Sequence, residues 1–239
     1  MSSYRLSTFL KQLWRQPYFA FIHFILPHFC LICKTTELKS DQLICRACWE
    51  NLPPADSSDR LLIELTSNLS GQVCFSRVFS LWQFSPAAQT IIHFLKYRYF
   101  KNLASKIGKA MAQEIIGKNV FDEKTILIPV PLHRTRLRER GYNQSYLICQ
   151  SLAAETGFAI ENFALTRIRY TASQTNLTAK QRQHNVKNAF AVIDREKILG
   201  KTILLVDDVI TTGATMNACA RQLMLNGAKE IILLSAVKA

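Results

Sequence analysis

The chain has 239 residues, of which 49% are apolar, and its 30 lysines and arginines outnumber 17 acidic residues to give a net charge of +13. This composition excludes an intrinsically disordered chain, and the length accommodates one sizeable domain plus a small one. The positive charge favours polyanionic partners, namely nucleic acid, phosphorylated ligands or an anionic membrane surface, although a basic protein without such a partner is the alternative.

Residues 1–29 are predicted to be a hydrophobic and basic lead-in that packs on the main domain. The apolar stretch from Phe19 to Phe29 is interrupted by histidine and proline. It is shorter than the ~20 apolar residues that span a membrane, and no small-residue cleavage site follows it to indicate a signal peptide. Weak contact with a membrane surface is the alternative.

Two Cys-x-x-Cys pairs with eleven residues between them are formed by Cys30, Cys33, Cys45 and Cys48. This spacing predicts a tetrahedral Cys₄ zinc site in a module of residues 30–51. Such a site is structural, because four protein ligands leave no open position for catalysis. Redox-active cysteine pairs and disulfides are the alternatives.

Residues 52–59 are rich in proline, serine and aspartate and are predicted to be a linker to a main domain of residues 60–239. A helix is predicted to begin at Ser85-Pro86. It ends in a stretch where cations, including Lys96 and Arg98, alternate with aromatic residues. Such a stretch can stack bases and hold a phosphate backbone, or it is an amphipathic helix end whose cations reach into water.

A further helix is predicted over residues 102–116, and a strand over residues 125–130 precedes a basic loop. Four arginines in seven residues repel each other unless an anion binds, and a guanidinium group can bond two phosphate oxygens. We therefore predict contact with pyrophosphate or DNA; a solvated basic surface is the alternative. The residues concerned are Arg134, Arg136, Arg138 and Arg140.

A helix over residues 145–155 is followed, at residues 167–188, by a long polar and basic stretch that includes Arg182. A polar stretch of this length between apolar elements favours a functional lid. An ordinary surface loop is the alternative.

The stretch from Thr202 to Thr215 has the pattern of a buried strand, two acids and the start of a helix. A second apolar strand over residues 230–237 completes a βαβ unit with parallel strands. A helix N-terminus with small and hydroxyl side chains suits a phosphate, and the adjacent Asp207 and Asp208 suit sugar hydroxyls or a metal ion. A ribose 5-phosphate combines these features; a plain strand-turn-helix is the alternative. The phosphate-binding candidates are Thr211, Thr212, Gly213, Ala214 and Thr215.

The run Leu-Leu-Val-Asp-Asp-Val-Ile-Thr-Thr-Gly-Ala-Thr ending at Thr215 resembles the phosphoribosyl pyrophosphate (PRPP) signature of type I phosphoribosyltransferases. The resemblance implies an α/β fold, a Rossmann-like parallel sheet with flanking helices. It implies catalytic contact of Asp207 and Asp208 with the ribose hydroxyls, and Mg²⁺ bound with PRPP. It also places the arginines in the pyrophosphate loop and residues 167–188 in a flexible catalytic loop. With a nucleotide-like ligand, the scattered cysteines favour the reducing cytosol.

Several motifs together resemble the ComF/GntX competence family, in order from about Cys30 to the C-terminus. They are the paired Cys-x-x-Cys motifs, Leu95–Arg98, Ile128–Gln144, Gln174-x-x-Leu177, Arg182-x-x-Asn185 and the PRPP-like signature. The resemblance implies a zinc-finger module followed by a phosphoribosyltransferase-like domain in a bacterial protein of natural transformation. It implies single-stranded DNA, PRPP and the DNA-uptake machinery as partners, and a cytoplasmic location, with a peripheral position on the inner membrane as a variant.

The sequence is compatible with three functions. The first is a DNA-uptake factor that handles incoming single-stranded DNA with its basic and aromatic residues. The second is an active phosphoribosyltransferase that uses magnesium and PRPP with an unknown acceptor. The third is a zinc-held adaptor that docks on the uptake machinery.

Overall fold

The computed structural model describes residues 28–39, 42–96, 100–118, 121–170 and 188–239. Several predictions concern residues outside these ranges. These residues are most of the lead-in, Arg98, and Arg182 with most of the predicted lid. The described residues divide into two compact units with a boundary after Asn51. The predicted domain limits, at 30–51 and 60–239, stay predictions. No helix in the described ranges is long and apolar enough to cross a membrane.

The N-terminal unit contains two short antiparallel strands and one short helix. Strand β1 is His28–Phe29, strand β2 is Glu37–Leu38 and helix α1 is Arg46–Glu50. Elements of two to five residues bury little apolar surface, and small units of this kind can be stabilised by a bound metal ion.

The larger unit is built around a five-stranded sheet. Its helices are α2 Ser58–Asn68, α3 Pro86–Leu95, α4 Lys101–Ile115, α5 Arg134–Arg140, α6 Gln144–Thr156 and α7 Ala214–Leu225. Its strands are β3 Arg77–Gln83, β4 Thr125–Pro129, β5 Ala159–Ile160, β6 Leu165–Arg167, β7 Phe190–Val192, β8 Thr202–Ile210 and β9 Glu230–Lys238. The sheet order is β3-β9-β8-β4-β5 and every pair is parallel. The predicted parallel sheet with flanking helices is confirmed.

Burial of both sheet faces explains why the central strands are almost wholly apolar. Alternate residues such as Ile203 and Leu205 pack in one cluster with Leu65 of α2 and Cys219 of α7. Helices α4 and α6 pack against each other and contact the sheet. They approach so closely that a Cβ atom at Gly108 would lie 2.6 Å from a backbone carbonyl of α6.

The structure confirms the predicted start of α3 and corrects two other predictions. Ser85 Oγ accepts a hydrogen bond of 3.1 Å from the Ala88 N–H, and Pro86 is the first helical residue. The basic loop is instead the helix α5, because arginine is a good helix former and the His133 ring caps its N-terminus by accepting from the Thr135 N–H.

The segment predicted to be a linker forms backbone contacts with β3. Pro54 forms an antiparallel bridge with Trp82, and the Ala55 N–H donates to the Leu81 carbonyl at 3.0 Å. Helix α2 then begins at Ser58. The proline, serine and aspartate content indicated a linker, but proline is also suited to an edge position where few backbone donors are needed.

Candidate functional site

The two acids lie inside strand β8 rather than after it, and the strand register brings them to the edge of the sheet. The pairing of β8 with β4 ends at Val206, whereas its pairing with β9 continues through Asp207 to Ile210. The last residues of β8 therefore extend past the end of β4. This carboxyl edge is where open α/β sheets bind ligands.

Asp207 is held by two hydrogen bonds. Its Oδ1 atom accepts from the Ser145 Oγ–H and from the Asp208 N–H, both at 2.9 Å. Burial and the neighbouring Asp208 carboxylate raise the pKa of Asp207 well above its ordinary value, although these hydrogen bonds oppose the shift. A positively charged ligand bound at this carboxylate would lower the pKa of Asp207 again.

Asp208 is only 7% exposed, and its Oδ2 atom has no hydrogen-bond partner among the described residues. A buried carboxylate oxygen without a partner is costly. Hydroxyl groups or a hard divalent cation would satisfy it, because Mg²⁺ prefers carboxylate oxygens and keeps several waters. The residues present therefore fit both ribose hydroxyls and the Mg²⁺ that accompanies a pyrophosphate.

A cleft of about 440 Å³ opens beside the acids and contains most of the predicted phosphate loop. Its lining includes Asp207, Asp208, Thr211, Gly213, Ala214 and Thr215, with Lys96 also present. Thr212 does not line the cleft; its Oγ1 atom accepts from the Ala214 N–H at 3.4 Å.

Gly213 adopts the left-handed conformation, with φ 78°, at the N-cap of α7. A Cβ atom here would lie 3.4 Å from Leu65. The backbone conformation at this position is also one that L residues rarely adopt. The glycine thus lets the chain turn sharply from β8 into α7. The turn brings the hydroxyl groups and the helix N-terminus to the cleft, where they suit an anion.

The four arginines of α5 do not line the cleft. Arg136 pairs with Glu139 at 3.2 Å, and Arg140 donates to the Gln144 side chain. Arg134 and Arg138 are exposed and have no acidic partner in the described part of the chain. Contact of these residues with pyrophosphate or DNA stays a prediction.

Two residues at the site were missed by sequence reasoning. Ser145 was assigned only to a helix, and its contact with Asp207, 62 residues away, has no local sequence signal. Arg167 was assigned to the lid stretch, yet it ends β6 and its guanidinium lies 5.4 Å from the Phe190 ring centre. It lies within electrostatic reach of Asp207 and Arg136, and burial lowers its pKa. The available signal was an arginine two residues after the apolar pair Ala164 and Leu165.

The start of the predicted lid stretch lies against the basic helix. The Tyr170 ring packs edge-on to the His133 ring, with centres 5.2 Å apart. His133 caps α5, so β6 and the residues after it lead to the arginine-rich surface. The stretch that continues beyond Tyr170 is outside the described residues.

The four cysteines of the N-terminal unit converge on one point. Their sulfur atoms all lie within 4.8 Å of one another, and none of them forms a disulfide. An ideal tetrahedron with Zn–S bonds of about 2.3 Å has sulfurs about 3.8 Å apart, so the cluster can hold a zinc ion. The members are Cys30, Cys33, Cys45 and Cys48.

Hydrogen bonds stabilise some thiolates of this cluster, whereas burial and hydrogen bonds with the neighbouring cysteines raise the pKa of Cys48 to about 12. The Cys45 N–H donates to Cys30 Sγ at 3.3 Å, and the Cys48 N–H donates to Cys45 Sγ at 3.4 Å. Hydrogen bonds from Thr35 and Thr36 lower the pKa of Cys33 to about 5. Thiolates are the form that binds metal.

Comparison with known proteins agrees with this geometry. Residues 145–239 match the phosphoribosyl transferase domain. DNA utilization protein YhgH of Escherichia coli is 30% identical over 208 residues, which cover 84% of this chain and 86% of that protein. Competence protein F of Haemophilus influenzae is 40% identical over 106 residues, covering 44% of this chain and 46% of that protein. The chain belongs to the ComF family. It is thus a ComF-family protein with a phosphoribosyltransferase-like domain.

Two solved structures illustrate how limited the structural similarity of this ComF-family chain to known structures is. Glutamine PRPP amidotransferase of Bacillus subtilis is 20% identical and covers 55% of this chain and 25% of that chain, with a TM-score of 0.37. Hypoxanthine phosphoribosyltransferase of Trypanosoma cruzi is 14% identical and covers 58% of this chain and 66% of that chain, with a TM-score of 0.35. At TM-scores below 0.5 these similarities support no conclusion about this chain.

Proposed function

We propose that this ComF-family protein binds PRPP with Mg²⁺ in the cleft and single-stranded DNA on its basic surface, and that it handles incoming DNA during natural transformation. The observation that carries the first part is the unpartnered, buried Oδ2 atom of Asp208 beside a loop of hydroxyl groups at a helix N-terminus. Such an arrangement is destabilising without a ligand and suits a sugar phosphate.

Each part of PRPP has a suitable place in this cleft. The 5-phosphate would accept hydrogen bonds from Thr211, Thr215 and the backbone N–H groups at the start of α7. The ribose hydroxyls would donate to Asp207 and Asp208. These carboxylates would hold a Mg²⁺ ion, which would supply positive charge that attracts the pyrophosphate.

DNA binding is supported by the charge of the α5 surface. Arg134 and Arg138 extend from the helix without an acidic partner in the described ranges. Arginine contacts with phosphates release counterions and give salt-dependent affinity without sequence preference. The relatives are named for DNA utilization and competence, which agrees with a role for this chain in the use of incoming DNA.

The protein would carry out this role at the cytoplasmic side of the inner membrane. Single-stranded DNA emerges there during transformation, and a basic protein is attracted to an anionic surface as well as to DNA. A docking contact with the uptake machinery belongs to the same proposal.

Calorimetric titration of magnesium-PRPP tests the cleft. We expect the wild type to bind and the Asp207→Asn/Asp208→Asn variant to lose at least about tenfold in affinity, because two carboxylate contacts are removed. The matched control is Asp194→Asn/Glu196→Gln, which removes two acids from a turn outside the cleft. Equal affinity in all three proteins would refute the site.

Catalytic transfer from PRPP is a second candidate, favoured by the extent of the cleft. Besides the acids and the phosphate loop, the cavity is lined by Phe84 and His93, and its volume of about 440 Å³ leaves space for an acceptor. In such a transfer the bond from C1 of ribose to pyrophosphate breaks and an acceptor atom bonds to C1. The acceptor then loses its proton to water, and pyrophosphate leaves. Pyrophosphate release that depends on an added acceptor would establish this activity.

A further inference from the structure

The C-terminal end of α5 is bonded to the end of α3. The Tyr142 hydroxyl donates a hydrogen bond of 2.5 Å to the Leu95 carbonyl, 47 residues earlier in the chain. Leu95 is the last residue of α3, and Tyr142 directly follows Gly141, the glycine that caps α5 with φ 80°. Tyr142 is only 7% exposed, so this contact is part of the packed structure. It holds together two basic stretches that are far apart in the sequence.

Cations lie around this contact. Lys101 is the first residue of α4, and its Nζ atom is 5.5 Å from the centre of the Tyr142 ring. Lys96 directly follows Leu95 at the C-cap of α3. Burial raises the pKa of Tyr142 to about 12, and the charge of Arg140 opposes this shift, so Arg140 lies within electrostatic reach of the hydroxyl. These cations come from the ends of α3, α4 and α5, so only the fold brings them together.

These cations have no acidic partner in the part of the chain that the structure describes. Lys96, Lys101 and Arg140 form no ion pair there. Glu139, the acid beside Arg140 in the sequence, pairs with Arg136 at 3.2 Å instead. Like charges gathered at one point repel each other unless an anion binds among them. The surface around Tyr142 is therefore suited to a polyanion.

Aromatic rings lie beside the cations. Phe94 and Phe100 pack edge-on with ring centres 4.8 Å apart, and both are half-buried. Phe100 directly precedes Lys101, and Phe94 lies two residues before Lys96. Aromatic rings that stack bases, next to cations that hold phosphates, are the means by which proteins bind single-stranded nucleic acid without sequence preference. Together these side chains form a junction patch, whose members are Lys96, Lys101, Arg140, Phe94 and Phe100.

We propose that the junction patch continues the surface of Arg134 and Arg138 on α5, and that one strand of single-stranded DNA lies across both. Arg138 stands two residues before Arg140, a rise of about 3 Å along the helix axis, so the two groups of cations are neighbours along α5. The inference rests on the proposed function, because it extends the DNA binding assigned there to α5. It goes further in adding Lys101 and the ring pair, and in joining two stretches into one path.

Fluorescence anisotropy with oligothymidine on the full chain tests the added cation. Lys101→Ala should weaken binding and lower the slope of log affinity against log salt by about 0.7, the contribution of one phosphate contact on a single strand. Lys101→Arg keeps the charge and should keep the wild-type slope. Lys109→Ala is the matched control, because it removes the same charge further along α4, where Lys109 pairs with Glu155 at 3.6 Å. Equal slopes for Lys101→Ala and Lys109→Ala would overturn the junction patch.

A second variant tests the ring pair. Phe94→Leu keeps the apolar volume in contact with Phe100 but removes a ring, so oligothymidine should bind on the order of tenfold more weakly. An abasic deoxyribose-phosphate oligomer of the same length has no bases to stack. Its affinity should therefore be the same for wild type and Phe94→Leu. An equal loss for both ligands would contradict base stacking at this ring.

The stoichiometry tests whether the path is continuous. One strand across both surfaces predicts one oligothymidine per chain, and Lys101→Ala combined with Arg134→Ala/Arg138→Ala should lower the slope by about 2.1 in total. Two oligothymidines per chain, of which each set of substitutions abolishes one, would refute a single path. Tighter binding of oligouridine than of oligothymidine of the same length would refute DNA as the partner.

The outcomes also separate this inference from the function on which it rests. If Arg134→Ala/Arg138→Ala weakens binding and Lys101→Ala does not, the junction patch is wrong and DNA binding on α5 stands. If the wild type binds no oligothymidine at low salt, both are wrong.

Discussion

Ser145 Oγ donates a hydrogen bond of 2.9 Å to Asp207 Oδ1, which connects the first turn of α6 to the central strand of the sheet. The bond stabilises the charged form of Asp207 against burial and against the Asp208 carboxylate. Helix α6, which directly follows the arginine-rich α5, therefore influences the charge state of the acid pair.

We predict that Asp207→Asn stabilises the ligand-free protein at neutral pH and weakens magnesium-PRPP binding. Since the folded-state pKa is raised, the stability associated with Asp207 is fully present below the ordinary pKa of about 4 and is lost as the pH rises through the folded value. Asparagine keeps the shape and the accepting Oδ1 atom but carries no charge. We expect a gain on the order of 1 kcal/mol, or about 2–4 °C in melting temperature for a protein of this size class.

Thermal unfolding at pH 4 and pH 7 measures this effect. The gain should be present at pH 7 and small at pH 4, where the wild-type carboxyl is largely protonated. Asp194→Asn, which alters an exposed pair with Lys197, should show no such pH dependence. A loss of stability at pH 7 would contradict the prediction.

Ser145→Ala should shift the pH dependence of magnesium-PRPP binding to higher pH. Removal of the hydroxyl takes away a hydrogen bond to the ionised Asp207 and raises the pKa of that group further. A hydrogen bond to a charged group is worth about 1.5–3 kcal/mol, so we expect a shift of about one to two pH units. Ser151→Ala in the same helix removes a bond to the Ser105 carbonyl and serves as the control. Superimposable binding profiles for wild type and Ser145→Ala would argue against this role.

Cys33→Ser should release zinc and destabilise the N-terminal unit. The wild type should contain about one zinc ion per chain, because four thiolates complete a tetrahedral site. Elemental analysis gives the metal content, and limited proteolysis reports the stability of the unit. Cys74→Ser, outside the cluster, should retain full zinc content. Wild-type protein purified without any metal would show that the cluster has another use.

Arg134→Ala/Arg138→Ala should weaken single-stranded DNA binding and flatten its salt dependence. Each phosphate contact contributes about 0.7 to the slope of log affinity against log salt on single strands, so the slope should fall by about 1.4. Lys201→Ala/Lys229→Ala removes the same charge where β8 and β9 begin, at the opposite edge of the sheet. Fluorescence anisotropy with oligothymidine at several salt concentrations distinguishes the two pairs. Identical slopes for both would mean that only net charge matters.

The parts of the site that are local in sequence could be predicted, and the parts that depend on strand order could not. Asp207 through Thr215 form one continuous turn from strand to helix, so their residue types and spacing indicated a sugar-phosphate site. Phe84 and Gln89 reach the same cleft only because α3 follows β3, two strands away from β8 in the sheet.

The basic helix α5 shows a second limit of prediction from the sequence. The residue types of Arg134 to Arg140 predicted an anion-binding surface. The direction of α5 relative to the sheet depends on tertiary packing, so it could not be predicted from these residue types. The cysteine module was predictable because metal geometry restricts the spacing of its ligands.

Strand β9 lies between β3 and β8, although it follows both of them in the chain. During synthesis, β3 and β8 therefore have no shared partner until Glu230–Lys238 has left the ribosome. Non-local parallel pairing of this kind is slow and exposes apolar strands while it proceeds. We expect the acid pair to become structured late in folding, so nascent chains of this protein depend on chaperones more than a protein with sequential strands would.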